Sequence, residues 1–287
     1  MSLEIPLKIV DLAPVNGVFI SVLRLDLIHP LVGGNKLFKL KYNIQKAIES
    51  GLDTIVTLGG PYSNHIAATA YAGQQAGFKT IGLIRGDEHT VLNHTLQAVV
   101  EKGMELRFID RQLYRKYRED FAAVEQLFKN AYCIPEGGSN ALSVKGCREI
   151  VPNTVSDFDF VACATGTGTT LAGLSLSLQH HQKALGIAVL KGANYLDEQV
   201  KEWINAEGGD IERFAIFHDY HFGGYASQHP VLTQFVNHFN DNQPFKIEPV
   251  YTGRMFYALM DLIEKNYFSK GIKLLVIHTG GMQYLEN

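Results

Sequence analysis

Short apolar runs rich in β-branched residues recur along the sequence, and a segment with helical periodicity follows nearly every one. Residues 18–25 have the pattern of a buried strand. Ile44, Ala47 and Ile48 then give the helix after Lys36 an apolar face that ends at Gly51. Residues 54–58 read as a strand, 64–75 as a small-residue helix closed near Gly77, 80–84 as a strand and 90–102 as a helix stopped at Gly103. Strand, helix and strand continue at 106–109, 114–129 and 131–134. A second series has strands at 158–164, 184–190, 214–217 and 273–277, with helices up to about 180 and at 194–205, 230–239 and 255–264. Strands separated by helices need crossover connections, which are right-handed and build parallel sheets buried on both faces. The expectation is an α/β protein with two open, twisted, mainly parallel sheets, helices on both faces, and a weakly marked boundary between residues 135 and 155.

Composition limits what such a chain does. It has 287 residues, 46% hydrophobic and 19% charged, which suits a folded globular protein and excludes disorder. A formal net charge of -3 offers no basic footprint for nucleic acid. The densest basic run, Arg111, Arg115, Lys116 and Arg118, lies in a helical pattern and reads as a solvated face. Cys133, Cys147 and Cys163 lack metal-ligand spacing and cannot all pair, which suits a reducing compartment. The histidines are scattered, so no metal site is expected. The first residues lack signal-peptide regions, and no apolar run approaches the ~20 residues that span a bilayer. A cytoplasmic protein without membrane or nucleic-acid partners is expected.

Glycine and polar residues concentrate just after the expected strands, at 59–65, 136–140, 165–170 and 278–281. In open α/β sheets ligands bind outside the carboxyl ends of the strands, so these clusters point to one crevice. In Thr165-Gly166-Thr167-Gly168-Thr169-Thr170, glycines permit close backbone approach, threonines supply hydroxyls, and a helix N-terminus supplies free amides. That combination suits a phosphate monoester. The sixth position from Gly166 is Leu171, so it is no dinucleotide fingerprint, and no Gly-Lys-Ser/Thr ending marks a Walker-type loop. Ser63-Asn64-His65 opens a helix after a Gly-Gly-Pro turn, where Ser63 or Asn64 also suits a helix cap. In Gly33-Gly34-Asn35-Lys36 a tight turn presents one lysine beside Leu37, Phe38 and Leu40. Partial desolvation there eases deprotonation, and the neutral amine is the form that attacks a carbonyl.

With these motifs in this order, the chain resembles the fold type II enzymes of pyridoxal phosphate, the tryptophan synthase β-subunit superfamily. More narrowly it resembles the D-cysteine desulfhydrase and 1-aminocyclopropane-1-carboxylate (ACC) deaminase family. The resemblance runs from about residue 24 to 282 and also includes Glu136-Gly137-Gly138-Ser139-Asn140, Glu248-Pro249-Val250-Tyr251-Thr252-Gly253 and His278-Thr279-Gly280-Gly281. It implies pyridoxal 5'-phosphate as cofactor, held by Lys36 through a Schiff base. Asn64 would pair with the pyridine 3-hydroxyl, Gly166, Thr167, Gly168 and Thr169 would bind the phosphate, and Thr279 would face the ring nitrogen. Ser63 would meet the substrate carboxylate or attack the substrate, with Asn64 and His65 beside it, and Tyr225 and Tyr251 would be the two active-site tyrosines. It also implies a homodimer. A large cofactor-binding domain of residues 1–44 and 148–287 and a small domain of 45–147 are expected, with the active site in the cleft between them.

The substrate is expected to be a small amino acid. The ACC deaminases of the family carry a glutamate beside the Tyr225 position and a leucine at the Thr279 position, where this chain has Gly224 and Thr279. The preferred expectation is therefore β-elimination from D-cysteine to pyruvate, ammonia and hydrogen sulfide. The alternatives are ACC deamination to 2-oxobutyrate and ammonia, or a non-catalytic binder of pyridoxal phosphate.

Overall fold

The computed structural model describes residues 7–29, 34–87, 91–151, 156–224 and 227–281. Of the motif residues, Gly33 and Tyr225 lie outside the described residues. The strands are β1 (Ile9–Asp11), β2 (Phe19–Arg24), β3 (Thr54–Gly59), β4 (Lys79–Arg85), β5 (Met104–Ile109), β6 (Tyr132–Ile134), β7 (Phe160–Thr165), β8 (Lys183–Ala188), β9 (Phe214–Phe217) and β10 (Lys273–His278). The helices are α1 (Lys36–Glu49), α2 (Asn64–Ala76), α3 (His94–Glu101), α4 (Arg111–Glu119), α5 (Ala122–Leu127), α6 (Ala141–Cys147), α7 (Thr169–Ser177), α8 (Tyr195–Ala206), α9 (Pro230–Asn242) and α10 (Thr252–Glu264). They form two compact units, Met1–Asn35 with Cys147–Asn287, and Lys36–Gly146.

The larger unit holds a six-stranded sheet in the order β1-β2-β10-β7-β8-β9. All neighbours pair parallel except β1 with β2. The last strand inserts between β2 and β7, with His278 in register with Arg24. The connection out of β7 therefore runs to one side and the chain returns to the other, which opens a crevice at the carboxyl ends of β7 and β10. Alternation along the strands sends Ile20, Val22, Leu274 and Val276 to one face, where they pack with Phe239, Phe245, Phe256 and Leu259 of α9, α10 and the segment between them. The small residues of α7 fit the opposite face, where Gly186 leaves room for Leu171: a Cβ there would lie 2.5 Å from the Leu171 side chain.

The smaller unit repeats the scheme with four parallel strands in the order β5-β4-β3-β6. Here the reversal falls between β3 and β6, so the 59–65 and 136–140 clusters lie at neighbouring strand ends. Ile66, Ala70, Leu96 and Val99 of α2 and α3 cover one face with Ile84 and Met104. Tyr114 and Val124 of α4 and α5 cover the other with Val56, Leu58, Ile81 and Leu83.

The alternation expected from sequence is thus present in both sheets, with local differences. The helix expected at 114–129 is two, because Asp120 leaves the helical region (φ -122°, ψ 81°). The helix expected from residue 90 begins at His94, where the Asn93 side chain accepts from the Leu96 amide at 2.9 Å. The antiparallel strand β1 and helix α6 had no clear sequence signal.

Candidate active site

In the smaller unit, Lys36 is the first residue of α1 and is half-buried. One turn on, Lys39 is buried and donates through Nζ to the Gly137 carbonyl at 2.9 Å. Asn43 Nδ2 donates to the Lys39 carbonyl at 2.8 Å and to Ser143 Oγ at 3.0 Å, and Asn140 Nδ2 donates to Asn43 Oδ1 at 2.7 Å. This buried amide network ties the helix that begins at Lys36 to the 136–140 cluster.

The turn after β3 sets up the second group. Ser63 caps α2, accepting from the Ile66 amide at 3.4 Å, and its own amide closes a turn to the Gly60 carbonyl. The turn folds tightly over Gly59, where a Cβ would come 2.6 Å from Ile66 and 2.9 Å from Ser63 Cβ. Asn64 and His65 follow in the first turn of α2, and both Asn64 Oδ1 and His65 Nδ1 are buried without a hydrogen-bond partner among the described residues. Thr57 donates its only hydroxyl proton to the Ile134 carbonyl at 2.8 Å, so its oxygen accepts from His65 Nε2–H at 2.9 Å. That assignment leaves Nδ1 as the bare acceptor.

Burial first, then the charges of Lys36 and Lys39, hold the His65 imidazole well below its ordinary pKa. A base with a depressed native pKa stabilises the fold above the unfolded value, and that stability is lost as pH falls toward the native one. Below about pH 6.5 the unfolded chain takes up a proton that native His65 refuses, a slope of about 1.4 kcal/mol per pH unit. The melting temperature is expected to fall from pH 7.5 to 5.5 and to fall less steeply in His65→Gln. An equal slope in both proteins would count against the neutral assignment.

In the larger unit the phosphate-suited loop joins β7 to α7. Gly168 is at φ 78°, and a Cβ on it would lie 2.8 Å from Val200 Cγ2 and 3.2 Å from the Trp203 ring, so only glycine fits. Among the described residues no side chain caps the α7 N-terminus, and the amides there are available to an anion. Asn35 Nδ2 donates to Thr170 Oγ1 at 2.8 Å, and the Asn35 amide donates to the Thr279 carbonyl at 3.3 Å. The residue before Lys36 is therefore tied both to the phosphate loop helix and to the end of β10. Sequence reading treated Asn35 as a turn residue only, because both partners are distant in the chain.

Thr279 is half-buried, and its neighbour His278 is fully buried. His278 donates through Nε2 to the Lys246 carbonyl at 2.9 Å, and its Nδ1 lies 3.3 Å from Asp26. Asp26 takes a two-pronged ion pair from Arg24 (2.7 and 2.5 Å). Burial lowers the His278 pKa and Asp26 partly offsets it. Tyr251 stands at the start of α10, with Glu248 accepting from the amides of Val250, Tyr251 and Thr252. Burial raises the Glu248 pKa, while those amides pull it back. A Cβ on Gly166 would lie 3.7 Å from Tyr251 Cε1, so the tyrosine ring borders the phosphate loop. From sequence alone Glu248 has no assigned role. Its signal was an acidic residue just ahead of an apolar helix.

A family model described as pyridoxal-phosphate dependent enzyme matches residues 7–280. A Pyrococcus horikoshii protein with the provisional name 1-aminocyclopropane-1-carboxylate deaminase is 33% identical over 281 residues, 93% of this chain and 85% of that protein. The Arabidopsis thaliana mitochondrial bifunctional D-cysteine desulfhydrase/1-aminocyclopropane-1-carboxylate deaminase is 28% identical over 294 residues, 93% of this chain and 73% of that protein. The crystal structure of an ACC deaminase homologue matches with a TM-score of 0.80 and 32% identity, covering 94% of this chain and 86% of that one.

The residues present fit the cofactor of this family: a glycine-shaped, uncapped helix N-terminus for a phosphate, an orphaned buried amide oxygen on Asn64, and a half-buried lysine. Among the described residues no helix is long and apolar enough to cross a membrane, and no group of three metal-ligating side chains is present. With family model, relatives and fold in agreement, the chain belongs to the pyridoxal-phosphate dependent enzymes of fold type II, as a lyase/deaminase of the D-cysteine desulfhydrase and ACC deaminase family.

Proposed function

We propose that this enzyme performs β-elimination on a small D-amino acid, D-cysteine, giving pyruvate, ammonia and hydrogen sulfide. When bound, pyridoxal phosphate withdraws electrons from the substrate Cα. Lys36 would hold the cofactor covalently, and its neutral amine would serve as the base for the substrate Cα proton. The loop of Gly166, Thr167, Gly168 and Thr169 takes the phosphate on its amides. Asn64, whose side-chain oxygen is buried without a partner among the described residues, would pair with the pyridine 3-hydroxyl. Ser63 meets the substrate carboxylate, with His65 behind it, and Tyr225 and Tyr251 border the substrate. A cytoplasmic homodimer completes this reading.

The observation that carries the choice of reaction is Thr279. A neutral hydroxyl beside the pyridine nitrogen would not hold it protonated, which would weaken the electron sink and favour prompt loss of a good β-leaving group. The second reading, ACC deamination, is favoured by the name of the Pyrococcus horikoshii relative, and the Arabidopsis thaliana relative carries both activities in its name. A panel of D-cysteine, L-cysteine, D-serine, β-chloro-D-alanine and ACC separates the two. Sulfide and pyruvate from D-cysteine are expected, with kcat/KM at least about tenfold above that for L-cysteine or ACC. Formation of 2-oxobutyrate from ACC, with D-cysteine inert, would replace the first reading by the second.

A further inference from the structure

Two fully buried, oppositely charged side chains, Glu248 and Arg254, flank the first residues of α10. Glu248 Oε1 accepts from the amides of Tyr251 (2.9 Å) and Thr252 (2.7 Å) and from the Thr252 hydroxyl (3.1 Å). Its Oε2 accepts from the amides of Val250 (2.6 Å) and Tyr251 (3.1 Å). A carboxylate at a helix N-terminus suits both the free amides and the helix dipole. The Tyr251 backbone is therefore fixed by one side chain.

Arg254 reaches two other segments. Its guanidinium donates to the Val189 carbonyl at 2.8 Å, just past β8, and to the Gly224 carbonyl at 2.6 Å. Gly224 ends a turn in which Phe222, Gly223 and Gly224 all have positive φ (48°, 92° and 116°). A phenylalanine in that region is strained, and such a conformation persists only where its surroundings over-determine it. The Phe222 ring also packs edge-on against Tyr257 of α10, with centroids 4.9 Å apart.

Both arms converge on one glycine. A Cβ on Gly166 would meet Tyr251 Cε1 at 3.7 Å and Val189 Cγ2 at 4.0 Å. We propose that Glu248 and Arg254 are positioning residues that together hold Tyr251 and Val189 as the wall of the phosphate loop at Gly166. Arg254 also pins the turn that precedes Tyr225 in sequence. The proposal rests on the reading of that loop as the phosphate cradle. It assigns work to two buried charges that the reaction itself does not use.

The test compares pyridoxal phosphate with pyridoxal, which lacks the phosphate, in titrations of the cofactor-free full chain. Arg254→Met is expected to raise the half-saturating pyridoxal phosphate about tenfold and to leave pyridoxal binding unchanged, because only the phosphate meets the braced wall. Arg254→Lys keeps a cation and is expected to restore binding to within about threefold of the parent. Glu248→Gln turns an amide donor toward the α10 amides and is expected to weaken pyridoxal phosphate about fivefold, which keeps the test alive if Arg254→Met fails to fold. Hydrogen exchange in the cofactor-free variants is expected to quicken at residues 218–224 for Arg254→Met and at 250–252 for Glu248→Gln. Equal losses for both ligands, or no loss in any of the three variants, would overturn the brace. If the parent binds pyridoxal as tightly as pyridoxal phosphate, the cradle reading fails instead, whatever Arg254 does.

Discussion

Lys36→Ala is expected to lower turnover by roughly a thousandfold or more and to leave any bound pyridoxal phosphate attached non-covalently. Three lysines occur in the first turns of α1, and the structure separates them. Lys39 is buried with its ammonium on the Gly137 carbonyl, and Lys41 lies over the Tyr42 ring, 5.2 Å from its centroid. Lys36 alone follows directly on Asn35, whose amide and side chain are bonded to Thr279 and Thr170. Borohydride reduction of the loaded parent, followed by peptide mass spectrometry, is expected to find the pyridoxyl group on Lys36. The same treatment of Lys36→Ala is expected to label no lysine of α1. A label on Lys39 or Lys41 in the parent would sink the assignment, and so would an alanine variant that keeps both its colour and its turnover.

The contrast between what was legible in the sequence and what was not follows the range of the interactions. Strand runs such as Thr54-Ile55-Val56-Thr57-Leu58 are readable because a parallel strand is apolar on both faces, and local composition reports that directly. The glycine-polar clusters are readable because each sits at a strand end, where the topology then places β7 beside β10 and β3 beside β6. The break between α4 and α5 had no glycine or proline to announce it. Asn35 and Arg254 have roles of another kind. Asn35 and Thr170 are 135 residues apart, and Arg254 is 65 and 30 from its two carbonyl partners. Roles made by such contacts leave no periodic trace, although a lone cation in the apolar stretch Thr252-Gly253-Arg254-Met255-Phe256 was an available hint. His65 is intermediate: its place at a helix start was readable, but its tautomer depends on Thr57 and Ile134.

Those long-range ties leave the turn before Lys36 no room for an added atom. Gly34 is at φ 103°, and a Cβ added there would lie 1.9 Å from the Thr279 carbonyl oxygen and 2.6 Å from its carbon. Both obstacles are backbone, so no side-chain rotation relieves them. The Gly34 amide also donates to the Leu25 carbonyl at 2.7 Å, and the next amide donates to Thr279. Gly34→Ala must therefore push the Lys36 turn away from β10 and stretch these bonds together. A loss of about 3 kcal/mol or more is expected in urea unfolding, since positive-φ strain, overpacking and broken hydrogen bonds add at one position. Gly51→Ala is the matched control: its φ is 68°, but a Cβ there meets nothing within 4 Å. It is expected to cost only about 1 kcal/mol, the strain of the backbone alone, with cofactor binding unchanged. If Gly34→Ala destabilises no more than Gly51→Ala and still takes up pyridoxal phosphate on Lys36, the close packing of the lysine turn on Thr279 is not what holds the site in place. If the two variants separate as expected, the glycine before Asn35 is required by the approach of two backbones, its own turn and the segment just past β10.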